Sequence, residues 1–275
     1  MTLPPQLFDH KALVLRRKRA NENAWFIHDQ AIDVINERLS EINRVFSKIA
    51  VVGFRAQAWA NALDLKATCV EDGDTLDLNE NSYDLVIHAM CMHWANDPVG
   101  QLIQMQQALK PDGLMIATFF GGQTLSELRI SFAQAEIKVM DGISPRIAPM
   151  GEIRDLGSLL QRAGFALPVA DNISLNVNYK SPIKLMHDLR SMGETNIIKT
   201  RMKLPISRNL LKEVTKQYHD NFTDNNGRIK ATFDLIFLTG WAPSVSQQKP
   251  LKPGSAQKRL ADALGTLENL SLIHI

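Results

Sequence analysis

Apolar and polar positions follow the pattern of strands in some segments and the period of helices in others, and the two patterns together predict an α/β fold. Apolar or alternating runs predict strands at 49–53, 67–70, 83–89, 114–120, 173–179 and 231–240. Helical periodicity predicts helices at 59–63, 99–109, 125–139, 154–163, 182–192 and 208–221. Because strands alternate with helices, we expect a mostly parallel sheet with helices on both faces and right-handed crossovers.

The N-terminal part carries helical periodicity without strands. One apolar stripe runs between Phe8 and Ser47, and its members are Ile27, Ala31, Ile32, Ile35 and Leu39. We therefore expect a helical segment at 1–48, followed by an α/β domain at 49–264 with a helical insertion at about 181–228 before the last strand. The final residues, Leu270–Ile275, match a peptide encoded by a common sequencing adapter, so we expect the tail at 265–275 to be partly artefactual.

Composition narrows the class of protein. With 275 residues, 45% hydrophobic and 22% charged, the chain has the composition of a soluble globular protein that buries a core. A formal net charge of +2 gives no reason to expect a nucleic-acid partner. We find neither a signal-peptide pattern nor an apolar run of the roughly 18 residues that a membrane helix needs, so we expect a cytoplasmic protein without a transmembrane segment. The sequence does not specify an oligomeric state.

The two cysteines and a cluster of basic residues do not change the expected class of protein. Cys69 and Cys91 lie in apolar surroundings without metal-ligand spacing, so we expect buried free thiols and no metal site. Four basic residues at 16–19 form either the solvated face of a first helix or a docking patch for an acidic partner.

The loops after the strands are where chemistry is expected, because ligands of such sheets bind beyond the carboxyl ends of the strands. The loop after the first strand contains one glycine, Gly53, at a point where a cofactor with an adenosine moiety needs close backbone approach. After the second strand, Asp72 is either a partner for an adenine amine or an exposed turn acid. His93 is the one histidine that we consider for acid–base work, and a structural role beside Trp94 is the alternative.

Several motifs recur in order along the chain. They are His93-Trp-Ala-Asn-Asp97, Leu109-Lys-Pro-Asp-Gly113, Phe120-Gly-Gly-Gln-Thr-Leu-Ser-Glu-Leu-Arg129, Ser144-Pro-Arg-Ile-Ala-Pro149, Leu159-Leu-Gln-Arg-Ala-Gly-Phe165, Asp188-Leu-Arg-Ser-Met-Gly-Glu-Thr-Asn196 and Leu238-Thr-Gly-Trp-Ala-Pro243. With them, the chain closely resembles the family of mitochondrial complex I assembly factor 5, and above all its alphaproteobacterial relatives. The resemblance runs from about Phe8 to Leu264, apart from the stretch 51–72.

The resemblance implies a Rossmann-like class I methyltransferase fold that binds S-adenosylmethionine (SAM). It also implies a protein partner, a complex I subunit whose arginine is methylated or hydroxylated during assembly. By position, the resemblance places Gly53, Asp72, Gly73 and His88 at the cofactor. On the substrate side it places Trp94, Gly121, Gly122, Arg129, Gly193, Glu194 and Asn196.

Departures from the family lie on the cofactor side. The chain has one glycine where the SAM loop of the family has about three, and Phe54, Arg55 and Ala56 follow it. Compared with the family, the chain lacks roughly two dozen residues, about one βα unit, in the segment that carries the ribose-binding acid. Three hypotheses stay open: a SAM-dependent enzyme acting on a protein arginine, a catalytically inactive pseudo-methyltransferase that serves as an assembly scaffold, and a small-molecule methyltransferase.

Overall fold

The computed structural model describes residues 6–21 and 24–247. The part of the chain that ends at Pro243 forms one compact unit. Its α-helices are α1 (His10–Arg17), α2 (Phe26–Glu41), α3 (Ala56–Ala62), α4 (Pro98–Ala108), α5 (Ser126–Met140), α6 (Ile153–Arg162), α7 (Pro182–Met192) and α8 (Arg208–Phe222). Its strands are β1 (Ile49–Val52), β2 (Ala67–Val70), β3 (Tyr83–Ala89), β4 (Leu109–Gly121), β5 (Ala166–Tyr179) and β6 (Ile229–Trp241). The adapter-like tail at 265–275 lies outside the described residues.

The strands form one sheet in the order β2-β1-β3-β4-β6-β5. The first four strands pair in parallel, and β6 runs antiparallel to both β4 and β5. The predicted mostly parallel sheet is therefore confirmed. From β1 the chain leads to β2 on one side and to β3 on the other, so the switch in strand order lies between β1 and β3, where ligands of such sheets bind.

Helices cover both faces, because the central strands bury side chains on each side. Val51 and Ile87 face a layer that includes Ile35 of α2. Val86 faces the opposite layer, with Leu102 of α4. A parallel sheet buried on both faces explains why the central strands appear in the sequence as continuous apolar runs. The predicted N-terminal stripe is buried in the first layer through α2, with Leu39 partly buried beside it.

The Lys-Pro-Asp-Gly sequence at 110–113, between the predicted helix at 99–109 and the predicted strand at 114–120, is typical of a turn but is part of a strand in the structure. Strand β4 begins at Leu109, and the pairing with β3 shifts between Tyr83, opposite Leu109, and Leu85, opposite Leu114. The extra residues form a bulge, with Asp112 in the left-handed region at φ 64°. The turn residues are therefore present, but they bend a strand rather than end it.

Two features differ from what the local sequence favours. Thr124 precedes the helix predicted at 125–139 and is a residue type that favours the cap position, but the cap position of α5 is Leu125, at φ 56°, and the Thr124 hydroxyl donates to the Gly121 carbonyl at 2.7 Å. Cys69 is exposed rather than buried, because β2 is an edge strand with a neighbour on one side only. Cys91 is buried as expected.

Candidate functional site

Helix α1 covers the carboxyl ends of β1 and β2. Nη1 of Arg17 lies 2.7 and 2.9 Å from the two carboxylate oxygens of Asp72, in the loop after β2. The Arg17 guanidinium also lies 5.0 Å from the ring centroid of Phe54, in the loop after β1. The Arg17 and Asp72 side chains are 9% and 11% exposed. A buried ion pair thus involves Asp72, one of the residues that the resemblance places at the cofactor.

The loop after β1 is tied to its surroundings by its own residues. The Phe54 amide donates to Sγ of Cys91 at 3.2 Å. Arg55 adopts φ 71°, its Nη2 donates to the Ala20 carbonyl at 3.1 Å, and its guanidinium lies 4.7 Å from the ring centroid of Trp25. The side chains that follow Gly53 therefore pack against the N-terminal segment.

Gly53 is explained by packing within the protein. Its φ is 150°, and a Cβ at this position would lie 2.7 Å from the Ala89 carbonyl oxygen and 3.2 Å from the Ala89 Cβ. Only a residue without a side chain allows the ends of β1 and β3 to approach this closely. The glycine is therefore required whether or not a ligand approaches the loop.

Two more residues of the predicted cofactor set, His88 and Gly73, lie beside Gln101 of α4. His88 is fully buried, and burial lowers its pKa to about 4, so the imidazole is neutral at neutral pH. Neither His88 nitrogen forms a hydrogen bond within the described part of the chain. The Gly73 carbonyl accepts a hydrogen bond from Nε2 of Gln101 at 2.7 Å, which joins the loop after β2 to α4.

The residues present do not fit SAM. Close approach of a cofactor to the first loop is blocked by Phe54 and Arg17, and the Asp72 carboxylate already accepts from Arg17. The ribose of SAM needs a second acid on a neighbouring strand, yet the edge strand β2 follows α3 directly and pairs with β1. In the described part of the chain no group of three or more His, Cys, Asp and Glu side chains lies close enough together to hold a metal ion.

The structure brings His93, the acid–base candidate, together with Trp94 and Glu194 of the predicted substrate side. Oε2 of Glu194 lies 2.8 Å from Nε2 of His93 and accepts from the Trp94 indole at 2.6 Å. The side chains of His93 and Glu194 are 4% and 9% exposed. Burial opposes ionisation of Glu194, but His93, the Arg17 charge and the Trp94 hydrogen bond together hold its pKa below the usual value. The carboxylate is therefore ionised at neutral pH.

Three further motif residues fix the loops around this cluster. Gly193 ends α7 at φ 86°, a left-handed position that favours glycine. Nδ2 of Asn196 donates to the Pro145 carbonyl at 2.7 Å. Arg129 donates from Nη2 to the Ala148 carbonyl at 3.3 Å. Asn196 and Arg129 thus hold the loop that follows α5.

Gly121 and Gly122 pack against β6. A Cβ on Gly122 would lie 2.5 Å from Oδ2 of Asp234, and one on Gly121 would overlap the Ile236 side chain. Asp234 accepts from the Gln123 amide at 2.7 Å. Neither glycine lines the cavity described next, so their role in the described structure is to bring the turn after β4 close to β6.

A cavity of about 750 Å³ opens beside the His93–Glu194 pair. Trp94 and Asn196 line it together with Arg16, which sequence reasoning did not assign to a site. Its volume falls within the usual range of small-molecule sites. The cavity is therefore a candidate binding site on the substrate side.

The basic cluster at 16–19 divides between two environments. Arg17 is buried against Asp72 and Arg16 lines the cavity, while Lys18 and Arg19 are exposed. Neither a fully solvated face nor an exposed docking patch describes Arg17. The signal was present in the sequence, because Arg17 lies four residues after the buried Leu13 and so falls on the same face of α1.

Comparison with known proteins places the chain in a family. The family model for a methyltransferase domain matches residues 33–117. The chain is 40% identical over 200 residues to "Arginine-hydroxylase NDUFAF5, mitochondrial" of Danio rerio, covering 72% of this chain and 62% of the relative. It is 32% identical over 155 residues to "Putative methyltransferase RP459" of Rickettsia prowazekii, covering 55% of this chain and 69% of that relative. The chain belongs to the class I methyltransferase superfamily and is a homologue of NDUFAF5.

The solved structure of "Loganic acid methyltransferase with SAH" shares the fold, at a TM-score of 0.52 and 14% identity over 80% of this chain and 94% of that one. The chain spans less than two thirds of the length of the NDUFAF5 relatives, 62% of that from Danio rerio and 45% of that from Dictyostelium discoideum. Among the described residues no helix is both long and apolar enough to cross a membrane. The superfamily fold is therefore retained.

Proposed function

We propose that this chain acts in the assembly of respiratory complex I by binding a protein partner, and that it does so without SAM. Homology to NDUFAF5, a complex I assembly factor, supports the assembly role. The observation that carries the second part is the buried ion pair of Arg17 and Asp72, which engages the acid that the resemblance assigns to the cofactor. The chain is thus a methyltransferase-fold scaffold whose cleft is filled by its own first helix.

Retained motifs support a binding role. The motif residues that lie away from the cofactor loops, such as Arg129 and Asn196, hold the loops around the cavity through hydrogen bonds to backbone carbonyls. The His93–Glu194 pair anchors the residues after α7 to the loop after β3. A surface built in this way keeps its shape without a cofactor, which is what a docking surface for an assembly partner requires.

Calorimetry tests the absence of SAM binding. SAM and S-adenosylhomocysteine are titrated separately into the purified full chain, with an intact-loop class I methyltransferase as the positive control in the same buffer. We expect no saturable heat from this chain. Saturable binding of either ligand in the micromolar range would overturn the proposal. Loss of that binding in Asp72→Asn would then show that Asp72 serves the cofactor.

A gene deletion tests the assembly role. In a host strain that lacks the gene, the amount of assembled complex I is expected to fall, as measured on native gels stained for NADH dehydrogenase activity. The wild-type gene should restore the complex while the masses of arginine-containing peptides of its subunits stay unchanged. Complex I that assembles normally without the gene would contradict the assembly role.

The second candidate is SAM-dependent chemistry on a protein arginine, methylation or hydroxylation, in a complex I subunit. The His93–Glu194 pair favours it, because a buried histidine and carboxylate facing a cavity form an acid–base pair. A gene-dependent gain of one oxygen or one methylene on a subunit arginine, found by mass spectrometry, would establish this candidate. A small-molecule methyltransferase also needs SAM, so the same calorimetry tests it.

A further inference from the structure

The cavity beside Glu194 has an apolar interior. Its inner wall includes Phe120, Leu128, Phe132 and Phe233, whose side chains are at most 5% exposed. These residues come from β4, α5 and β6, so the wall is built from rigid elements. An apolar wall on a rigid frame binds an apolar body and excludes water from it.

Positive charge surrounds this apolar interior. The cationic lining residues are Arg16, Arg146, Arg190, Arg201 and Lys203, and the one carboxylate in the described lining is Glu194. Oε2 of Glu194 accepts from His93 and Trp94. Arg146 pairs with Glu136 and Arg201 with Asp9.

Arg16, Arg190 and Lys203 have no ion-pair partner among the described residues. Nε of Arg16 is buried and forms no hydrogen bond in the described part of the chain. Burial and the like charges of Arg201, Arg19 and Arg190 lower the pKa of Arg16. Uncompensated cations at the edge of an apolar cavity attract an anion and repel a guanidinium or ammonium group.

The mouth of the cavity is apolar and exposed. Ile183 of α7 is 41% exposed, and Met202, Leu204 and Ile206 in the segment before α8 are 37%, 71% and 37% exposed. All four line the cavity. An exposed apolar rim of this kind suits a ligand whose chain extends beyond the interior, or one that is delivered from an apolar surface.

We infer that this cavity binds an anionic amphiphile, a molecule with an elongated apolar chain and one carboxylate or phosphate head group. The chain lies on the aromatic and aliphatic wall, and the head group meets Arg16 and Arg190. The inference goes beyond the assembly role and does not depend on SAM, because neither Gly53, Phe54 nor Asp72 lines the cavity. Loss of SAM binding and loss of amphiphile binding are therefore separate results.

Fluorescence titration with cis-parinaric acid, a long-chain carboxylate that becomes fluorescent in apolar sites, tests the inference on the purified full chain. Competition then uses dodecanoate, dodecyl phosphate and dodecylamine below their micelle concentrations. We expect saturable fluorescence, with at least one anionic competitor about tenfold or more tighter than the amine, equivalent to about 1.4 kcal/mol. Tighter dodecanoate points to a fatty acid and tighter dodecyl phosphate to a phospholipid. Absence of saturation, or equal competition by the amine, overturns the inference.

Charge variants give the matched control. Arg190→Gln and the double variant with Arg16→Gln are compared with Arg162→Gln, an exposed arginine of α6 outside the cavity. We expect the cavity variants to weaken parinarate binding by about tenfold while binding of neutral dodecanol stays unchanged, and Arg162→Gln to match the wild type. Unchanged parinarate binding in Arg190→Gln and in the double variant contradicts the head-group assignment. Because Arg190 is exposed, Arg190→Gln tests the inference even if Arg16→Gln fails to fold.

Discussion

Arg17 and Asp72 form a buried ion pair that joins α1 to the loop after the edge strand β2, with Nη1 of Arg17 at 2.7 and 2.9 Å from the two carboxylate oxygens. The pair is a contact between two parts of the same chain, at an acid that the resemblance assigns to the cofactor. Its partners are 55 positions apart in the sequence, so the pair also ties the N-terminal helix to the sheet. Four predictions follow from this arrangement and its neighbours.

Removal of Arg17 should destabilise the fold strongly. Arg17→Met leaves the buried Asp72 carboxylate without a cation, and the free energy of unfolding should fall by about 3 kcal/mol. Urea unfolding at neutral pH measures the change. Adding Asp72→Asn should restore part of the loss, because the uncompensated charge is then gone.

The exposed pair of Lys184 and Asp188 is the matched control for this variant. It has a similar distance, 2.8 Å, but the Lys184 side chain is 61% exposed. Lys184→Met should change the free energy of unfolding by less than about 0.5 kcal/mol. Equal effects of the two variants would show that the Arg17 pair is not buried in solution.

Gly53→Ala should destabilise the protein more than Gly164→Ala. Both glycines have positive φ, but a Cβ at Gly53 meets the Ala89 carbonyl at 2.7 Å, while nothing lies within 4 Å of one at Gly164. Overpacking adds about 1–3 kcal/mol to the backbone strain that both variants share. Thermal and urea unfolding of the two variants measure the difference, and equal losses would argue against close packing of β1 on β3.

Stability should fall as the pH is lowered from 6.5 towards 4. Burial lowers the pKa of His28 and of His88 from 6.5 to about 4. Trp59 donates to Nδ1 of His28 at 3.1 Å, which requires that this nitrogen be unprotonated. Between these pH values the unfolded chain binds more protons, so each histidine lowers the free energy of unfolding by up to about 1.4 kcal/mol per pH unit.

Urea unfolding at several pH values between about 4.5 and 7 measures this slope, in a range where most carboxylates stay ionised. His88→Leu should reduce the slope by the share of one histidine, because it removes a buried titratable group. A wild-type slope close to zero would contradict neutral burial of both histidines.

Glu194→Gln should weaken the cluster at the cavity. The substitution removes the charge that faces His93 while it keeps the shape of the side chain, and the free energy of unfolding should fall by about 1–3 kcal/mol at neutral pH. Because the pKa of Glu194 is held below its usual value, the stabilisation is present above the unfolded pKa and is lost as pH falls below it. The difference from the wild type should therefore shrink in acid.

The measurement is urea unfolding at neutral and acidic pH, and Glu152→Gln is its control. Glu152 is exposed, and its side chain does not cap α6. The Glu152→Gln variant should have the same free energy of unfolding as the wild type at both pH values. If the difference in free energy of unfolding between Glu194→Gln and the wild type grew in acid, it would contradict the lowered pKa of Glu194.

Local patterns in the sequence determined most of the secondary structure. Apolar runs predicted β1 and β3, and helical periodicity predicted α7 from Pro182 to Met192, because these signals act over a few residues. Two predictions that depended on distant residues failed. The segment 110–113 is a bulge rather than a turn because β4 pairs with β3 on both sides of it, and Cys69 is exposed because β2 lies at the edge of the described sheet.

The sequence by itself determined the fold family and the single glycine of the first loop. Only the tertiary structure decided which residues pack beside that loop. In the sequence, Arg17 is one member of a basic cluster, whereas in the structure its guanidinium lies within 2.9 Å of the Asp72 carboxylate. Arg16 belongs to the same cluster, and in the structure it lines the cavity together with Glu194. The physical reason is that burial and charge pairing depend on contacts between residues far apart in the chain, which local sequence patterns do not encode.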